Sequence, residues 1–115
     1  MNKIEEIINR RRIANKKLLE FNSTVYKKFL DLENATYCDG NLSRKIKELI
    51  AVGISVVLNC ESCMHWHIEQ AEKNGASGEE VLEAIEVGIE MGGGPATVSA
   101  RFALEVMDKV FAGRK

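Results

Sequence analysis

The chain lacks any large excess of one charge and any apolar run long enough to cross a bilayer. Sixteen Lys and Arg stand against seventeen Asp and Glu, a formal net charge of −1 over 115 residues. That balance gives no ground for binding nucleic acid or an anionic membrane. The basic residues near the start (Arg10, Arg11, Arg12, Lys16, Lys17) alternate with Glu5, Glu6 and Glu20 and read as a solvated helix face. The first dozen residues scatter isoleucines among charges, without the continuous apolar core of a signal peptide. The longest apolar stretch, residues 49–58, falls well short of the roughly 20 residues that a spanning helix needs. Internal repeats, linkers and low-complexity segments are also missing. Cysteines number only three. Without an export signal they point to a reducing compartment, so the expected location is cytoplasmic, and a close Cys pair there is more often catalytic or metal-binding than a structural staple.

What is present suits a single globular domain over residues 1–115, with 45% apolar and 29% charged residues. Ile4, Ile7, Ile8, Ala14 and Leu18 recur at helical spacing over about 3–20, and Val25, Tyr26, Phe29, Leu30 and Leu32 continue the pattern to about 34. Asp39-Gly40-Asn41 is turn chemistry. The solitary Cys38 beside it reads as a half-buried small apolar residue. Ser43 is a plausible N-cap for a helix over about 44–58, expected to be buried nearly all round because Ser55 is the only polar residue from Leu49 to Leu58. The β-branched content of residues 52–57 also allows a strand, but no later segment could pair with one. Gly75 stops the next helix, and Ser77 with Glu80 forms a capping box for a helix to about Met91. Gly92-Gly93-Gly94 breaks the chain, Pro95 starts a last helix at its first position, and that helix reaches Gly113. The fold class is all-α, a bundle of five or six helices.

Both histidines and two of the three cysteines fall within nine residues, Asn59-Cys60-Glu61-Ser62-Cys63-Met64-His65-Trp66-His67. If Cys60 begins a helix, a turn of about 100° per residue brings Cys60, Cys63 and His67 within about 60° of one another and sends His65 to the other side. Cysteines at i, i+3 have Cα atoms about 5 Å apart, within disulfide range. Unpaired N–H groups at a helix start stabilise a thiolate, and an imidazole one turn on can share its proton. On the preceding helix Glu48, Val52, Ser55 and Asn59 form a narrow polar stripe. If the two helices form an antiparallel hairpin turning near Leu58-Asn59, Ser55 approaches Cys60, Val52 approaches Cys63 and Glu48 approaches His67. Cys60, Cys63, His67 and Glu48 are therefore the candidate catalytic residues. Helix position favours Cys60 as the more reactive thiol, and adjacency to His67 favours Cys63.

Glu48, twelve residues later Cys60-x-x-Cys63, and His67 four residues beyond resemble the alkylhydroperoxidase AhpD-like proteins of the carboxymuconolactone decarboxylase superfamily. The similarity runs from about Ala35-Thr36-Tyr37 through Lys47-Glu48-Leu49-Ile50-Ala51 to Met91-Gly92-Gly93-Gly94-Pro95-Ala96. The resemblance implies an all-α homo-oligomer, a trimer or hexamer, and a thiol-dependent peroxidase. In that activity Cys63 reacts with peroxide, Cys60 resolves the sulfenic acid as a disulfide, and Glu48 and His67 relay protons. The well-characterised pattern has a further histidine immediately before the second cysteine. Ser62 stands there in this chain, so a shorter relay and weaker peroxidase activity are expected. Decarboxylase members lack the cysteine pair, and that reaction is not expected.

The expected partners are a small-molecule peroxide and a dithiol or lipoyl-type electron donor, with no cofactor, bound metal, nucleic acid or membrane. Three other readings of the same residues stay open. Two thiolates, an imidazole and a carboxylate could complete a zinc shell, although three of these ligands share one rigid helix and no second Cys pair exists. The pair could serve general protein-disulfide exchange. The chain could also be a non-catalytic accessory subunit. Trp66 reads as core or interface, or else as the wall of a peroxide pocket.

Overall fold

The computed structural model describes residues 2–113 as six α-helices: α1 Lys3–Glu20, α2 Thr24–Thr36, α3 Arg44–Leu58, α4 Glu61–Lys73, α5 Gly78–Gly92 and α6 Gly94–Val110. No strand occurs among the described residues, so residues 52–57 are helical. The all-α expectation holds, and α1, α3 and α5 match their expected bounds within a residue. The last helix stops at Val110 rather than Gly113, and it starts at Gly94, one residue before Pro95. No described helix is long and apolar enough to cross a membrane.

The helices divide into two compact units, residues 2–39 and residues 40–113. In the first, the Asn2 side chain caps α1 through the Glu5 N–H, the Ser23 hydroxyl caps α2 through the Tyr26 N–H, and the two helices touch. α2 buries no residue: Val25, Phe29 and Leu32 are all more than half exposed. Cys38 is exposed as well, against the expectation of half-burial, because α2 has ended and the chain there is irregular.

The second unit is built on α3, which packs against α4 on one side and α5 on the other, while α6 lies across α4 and α5. Val52 and Val56 of α3 meet a core that includes Met64 and Ile68 of α4, Val81 and Ile85 of α5, and Ala103 and Val106 of α6. The crossing of α3 with α5 is close because two glycines face each other. A Cβ added to Gly88 would come within 2.6 Å of the Gly53 carbonyl oxygen, and one added to Gly53 within 3.0 Å of the Ala84 carbonyl oxygen. The start of α5 is fixed by the expected capping box: the Glu80 N–H donates to Ser77 Oγ at 3.1 Å and the Ser77 N–H to Glu80 Oε1 at 2.9 Å. Lys45 of α3 donates to the other Glu80 oxygen at 3.0 Å, joining α3 to α5. The Ser77 N–H first, and Lys45 second, hold the Glu80 carboxyl below its ordinary value.

α3 is not buried all round. Glu48, Ala51, Val52, Ser55 and Val56 are its buried residues. Ile46, Ile50, Ile54, Val57 and Leu58 are exposed, and together with Ala84, Val87 and Met91 of α5 they line an open apolar groove of about 600 Å³. Glu48, Val52 and Ser55 of the polar stripe are inside, Asn59 at its end is exposed, and much of the apolar surface is outside. The reason is geometric: the hairpin turns the Glu48–Ser55 face towards α4, and the Gly53–Gly88 contact draws α5 against one flank only.

Candidate redox site

The site begins with how α3 ends. Asn59 adopts a left-handed conformation (φ 53°, ψ 42°), its N–H donates to the Val56 carbonyl at 3.2 Å, and the Cys60 N–H reaches back to the Ser55 carbonyl at 3.0 Å. This is a Schellman motif with asparagine in the position that glycine usually takes. It reverses the chain within two residues and leaves Cys60 as the N-cap of α4. Cys60 Sγ accepts the Cys63 N–H at 3.3 Å, in place of the usual hydroxyl or carboxylate cap.

Cys60 and Cys63 are joined by a disulfide, with Cα atoms 5.2 Å apart, close to the separation expected from their spacing. Both sulfurs lie at the start of α4, the positive end of the helix, where backbone N–H groups would stabilise a thiolate once the pair is reduced. One turn on, His67 Nδ1 is 2.7 Å from Glu48 Oε1. The antiparallel register anticipated from the sequence is therefore present. Glu48 is almost completely buried, its side chain 1% exposed against 14% for His67.

A buried carboxylate is costly unless both oxygens are satisfied. The second oxygen is met from α3 itself: Arg44 Nε donates to Glu48 Oε2 at 3.3 Å. The same guanidinium donates through Nη2 to Gln70 Oε1 of α4 at 3.0 Å. Neither Arg44 nor Gln70 was singled out from the sequence. The available signal was positional, since Arg44 precedes Glu48 by four residues on the polar stripe and Gln70 follows His67 by three. Among the described residues no buried side-chain nitrogen or oxygen lacks a partner.

His65, set on the other side by the same helical arithmetic, is buried and faces Glu69, Nε2 to Oε2 3.8 Å. Ser55 is buried with its hydroxyl donated to the Val52 carbonyl at 2.7 Å, so it is committed to its own helix. Ser62 and Trp66 are half-buried on α4. Among the described residues no three His, Cys, Asp or Glu side chains are grouped to hold a metal ion. The chemistry available here is a dithiol–disulfide couple beside an imidazole–carboxylate pair that can hold a proton.

Residues 23–106 match the model of the carboxymuconolactone decarboxylase family. The chain belongs to this family. It is 39% identical over 82 residues to an uncharacterized protein of the cox locus of Paracoccus denitrificans, covering 71% of this chain and 74% of that one. It is 38% identical over 84 residues to an uncharacterized protein of Cupriavidus necator, with 73% and 74% covered. In structure it is similar to a carboxymuconolactone decarboxylase family protein from Legionella pneumophila, with a TM-score of 0.89 and 31% identity over 96% of this chain and 98% of the other. A family protein from Thermotoga maritima, for which an antioxidative role has been suggested, superposes with a TM-score of 0.81 and 30% identity over 91% and 89% of the two chains. The family match starts at Ser23, the N-cap of α2.

Proposed function

We propose that the chain is a thiol-dependent peroxidase of the alkylhydroperoxidase type. The observation that carries this reading is the Cys60–Cys63 pair at the head of α4 with the Glu48–His67 pair one turn along. His67 takes the proton of the reduced Cys63, and the thiolate attacks one peroxide oxygen. The O–O bond breaks, the peroxide is reduced to alcohol or water, and the leaving oxygen recovers the proton from His67. Cys63 becomes a sulfenic acid. Cys60 attacks its sulfur, water leaves, and the disulfide forms. A dithiol donor, a lipoyl group among the candidates, returns the pair to two thiols and is itself oxidised to a disulfide. Family membership and the suggested antioxidative role of the Thermotoga maritima relative support the reading. Cytoplasmic residence and assembly as a homo-oligomer, a trimer or hexamer, belong to the same proposal.

The test is peroxide consumption with dithiol donors, a lipoylated protein included, for the native chain and for Cys60→Ser and Cys63→Ser. The native chain is expected to turn over and both variants to stop. Cys60→Ser should accumulate a trappable sulfenate at Cys63. A sulfenate formed by Cys63→Ser reverses the assignment of the two thiols. Absence of peroxide-dependent turnover with every donor rejects the peroxidase and leaves disulfide exchange or an accessory role.

A further inference from the structure

We infer that the α2 helix of one copy of the chain seats in the apolar groove between α3 and α5 of a second copy. The homo-oligomer proposed above underlies this assignment, which names the two faces that meet.

The two faces match in shape. Gly53 and Gly88 bring α3 and α5 close, and the groove beside them is walled by Ile50, Ile54 and Val57 of α3 and by Val87 and Met91 of α5. Its α3 wall runs from Ile46 to Leu58, a length of roughly 20 Å at the helical rise of 1.5 Å per residue. α2 has 13 residues, the same length of helix. Val25, Phe29 and Leu32 stand at i, i+4 and i+7, within about 60° of one another around that helix. Each is more than half exposed. An apolar stripe with this spacing is what a groove between helices accepts.

Charge selects among the ways in which two copies could meet. α5 carries Glu79, Glu80, Glu83, Glu86 and Glu90 and no cation. Two grooves placed face to face would set these glutamates beside those of the other copy, and like charges across an interface disfavour that pairing. α1, which touches α2, carries six cations against three glutamates. An α2 helix therefore arrives at the acidic α5 with a positive neighbour. Glu80 and Glu83 line the groove and disfavour a fatty-acid carboxylate as its occupant.

The contact joins two different faces and is heterologous. Such contacts close into rings, and a trimer requires them, because a self-complementary face joins copies only in pairs.

The experiment is sedimentation velocity on the full chain carrying Phe29→Glu, on the full chain carrying Ile54→Glu, and on their equimolar mixture. Both substitutions fall at exposed positions, and circular dichroism checks folding. Val25→Glu and Val87→Glu stand in for a variant whose helicity is not native. Each variant alone lacks one of the two faces and is expected to sediment as a monomer. In the mixture, the intact groove of Phe29→Glu meets the intact α2 of Ile54→Glu. A 1:1 pair is therefore expected and nothing larger, since the two faces left over are both spoiled. A mixture that stays monomeric overturns the inference. So does a Phe29→Glu chain that assembles like the native one, a result that keeps the homo-oligomer and moves its contact off α2. A monomeric native chain rejects the homo-oligomer and the inference together. Mass is the readout throughout, so failure of the peroxidase reading changes none of these outcomes.

Discussion

Glu48 is the residue whose position most needs a reason. Removing a carboxylate from water costs several kcal/mol, and buried ion pairs often do no better than apolar replacements of similar size. Its two partners, Arg44 and His67, offset that cost but are not by themselves a reason for an acid at a buried position. The proton relay proposed above would give a reason for an acid there. Groups that act as one relay lose activity together, so Glu48→Gln and His67→Gln should each slow peroxide reduction by about 100-fold, the lower range for general acid–base catalysis. The double variant should lose about as much as either single one. Losses that multiply in the double variant mean two independent contributions, and the relay fails. The approach of Glu48 to His67, and of Cys60 to Cys63, could be anticipated from sequence because helical spacing fixes angles and a tight hairpin fixes register. Arg44 and Gln70 could not, since many surfaces carry an Arg and a Gln, and only the observed register shows these two meeting. Cys38 differs for a related reason: residue type favours burial, but the side chain is exposed just beyond the end of α2.

Among the elements, α3 shows what a hydropathy pattern contains and what it leaves out. Its limits were legible from Ser43 and from the polar break at Asn59, and its narrow polar stripe pointed to Glu48. The pattern says which side chains are apolar. It does not say which of them a neighbour covers, and here α5 reaches only one flank. What holds α5 at that distance is the glycine pair. A methyl group on Gly88 would lie 2.6 Å from a backbone oxygen and 3.1 Å from Val56 Cβ, so the helices must separate. Gly88→Ala should therefore lower stability by about 1–2 kcal/mol, an overpacking cost larger than the helix-propensity gain of about 1 kcal/mol from replacing glycine. Gly94→Ala is the comparison. No atom lies within 4 Å of an added methyl there, and its φ is not in the left-handed region, so stability should hold or rise. Urea unfolding of the two variants measures the difference. If Gly88→Ala unfolds at or above the native midpoint, the close crossing is not what positions α5.

For the whole molecule, the surface is the informative part. Ile50, Ile54, Val57 and Leu58 on α3, and Val87 and Met91 on α5, are exposed around one continuous groove. Scattered exposed apolar residues need no explanation, but a contiguous patch marks an interaction surface. The homo-oligomer proposed above would place a second copy of the chain on this surface. α2 presents Val25, Phe29 and Leu32 to solvent and buries nothing of its own, which supplies an apolar helix face of matching character. Charge agrees as well: α5, along the groove, carries five glutamates and no cation, whereas α1 carries six cations against three glutamates. Association through these faces would remove apolar surface from water and pair opposite charges, which would also limit wrong partners. Sedimentation velocity at micromolar concentration should accordingly give a mass several times the 12.8 kDa of one chain. Ile54→Glu and Val87→Glu place a charge at exposed positions, where folding tolerates it, and should each shift the protein towards monomer without loss of helical circular dichroism. Raising the salt concentration should weaken the native assembly as the α1 and α5 charges are screened. A native chain that sediments as a monomer, or an assembly untouched by both substitutions, places the subunit contact elsewhere and leaves the groove free for another ligand.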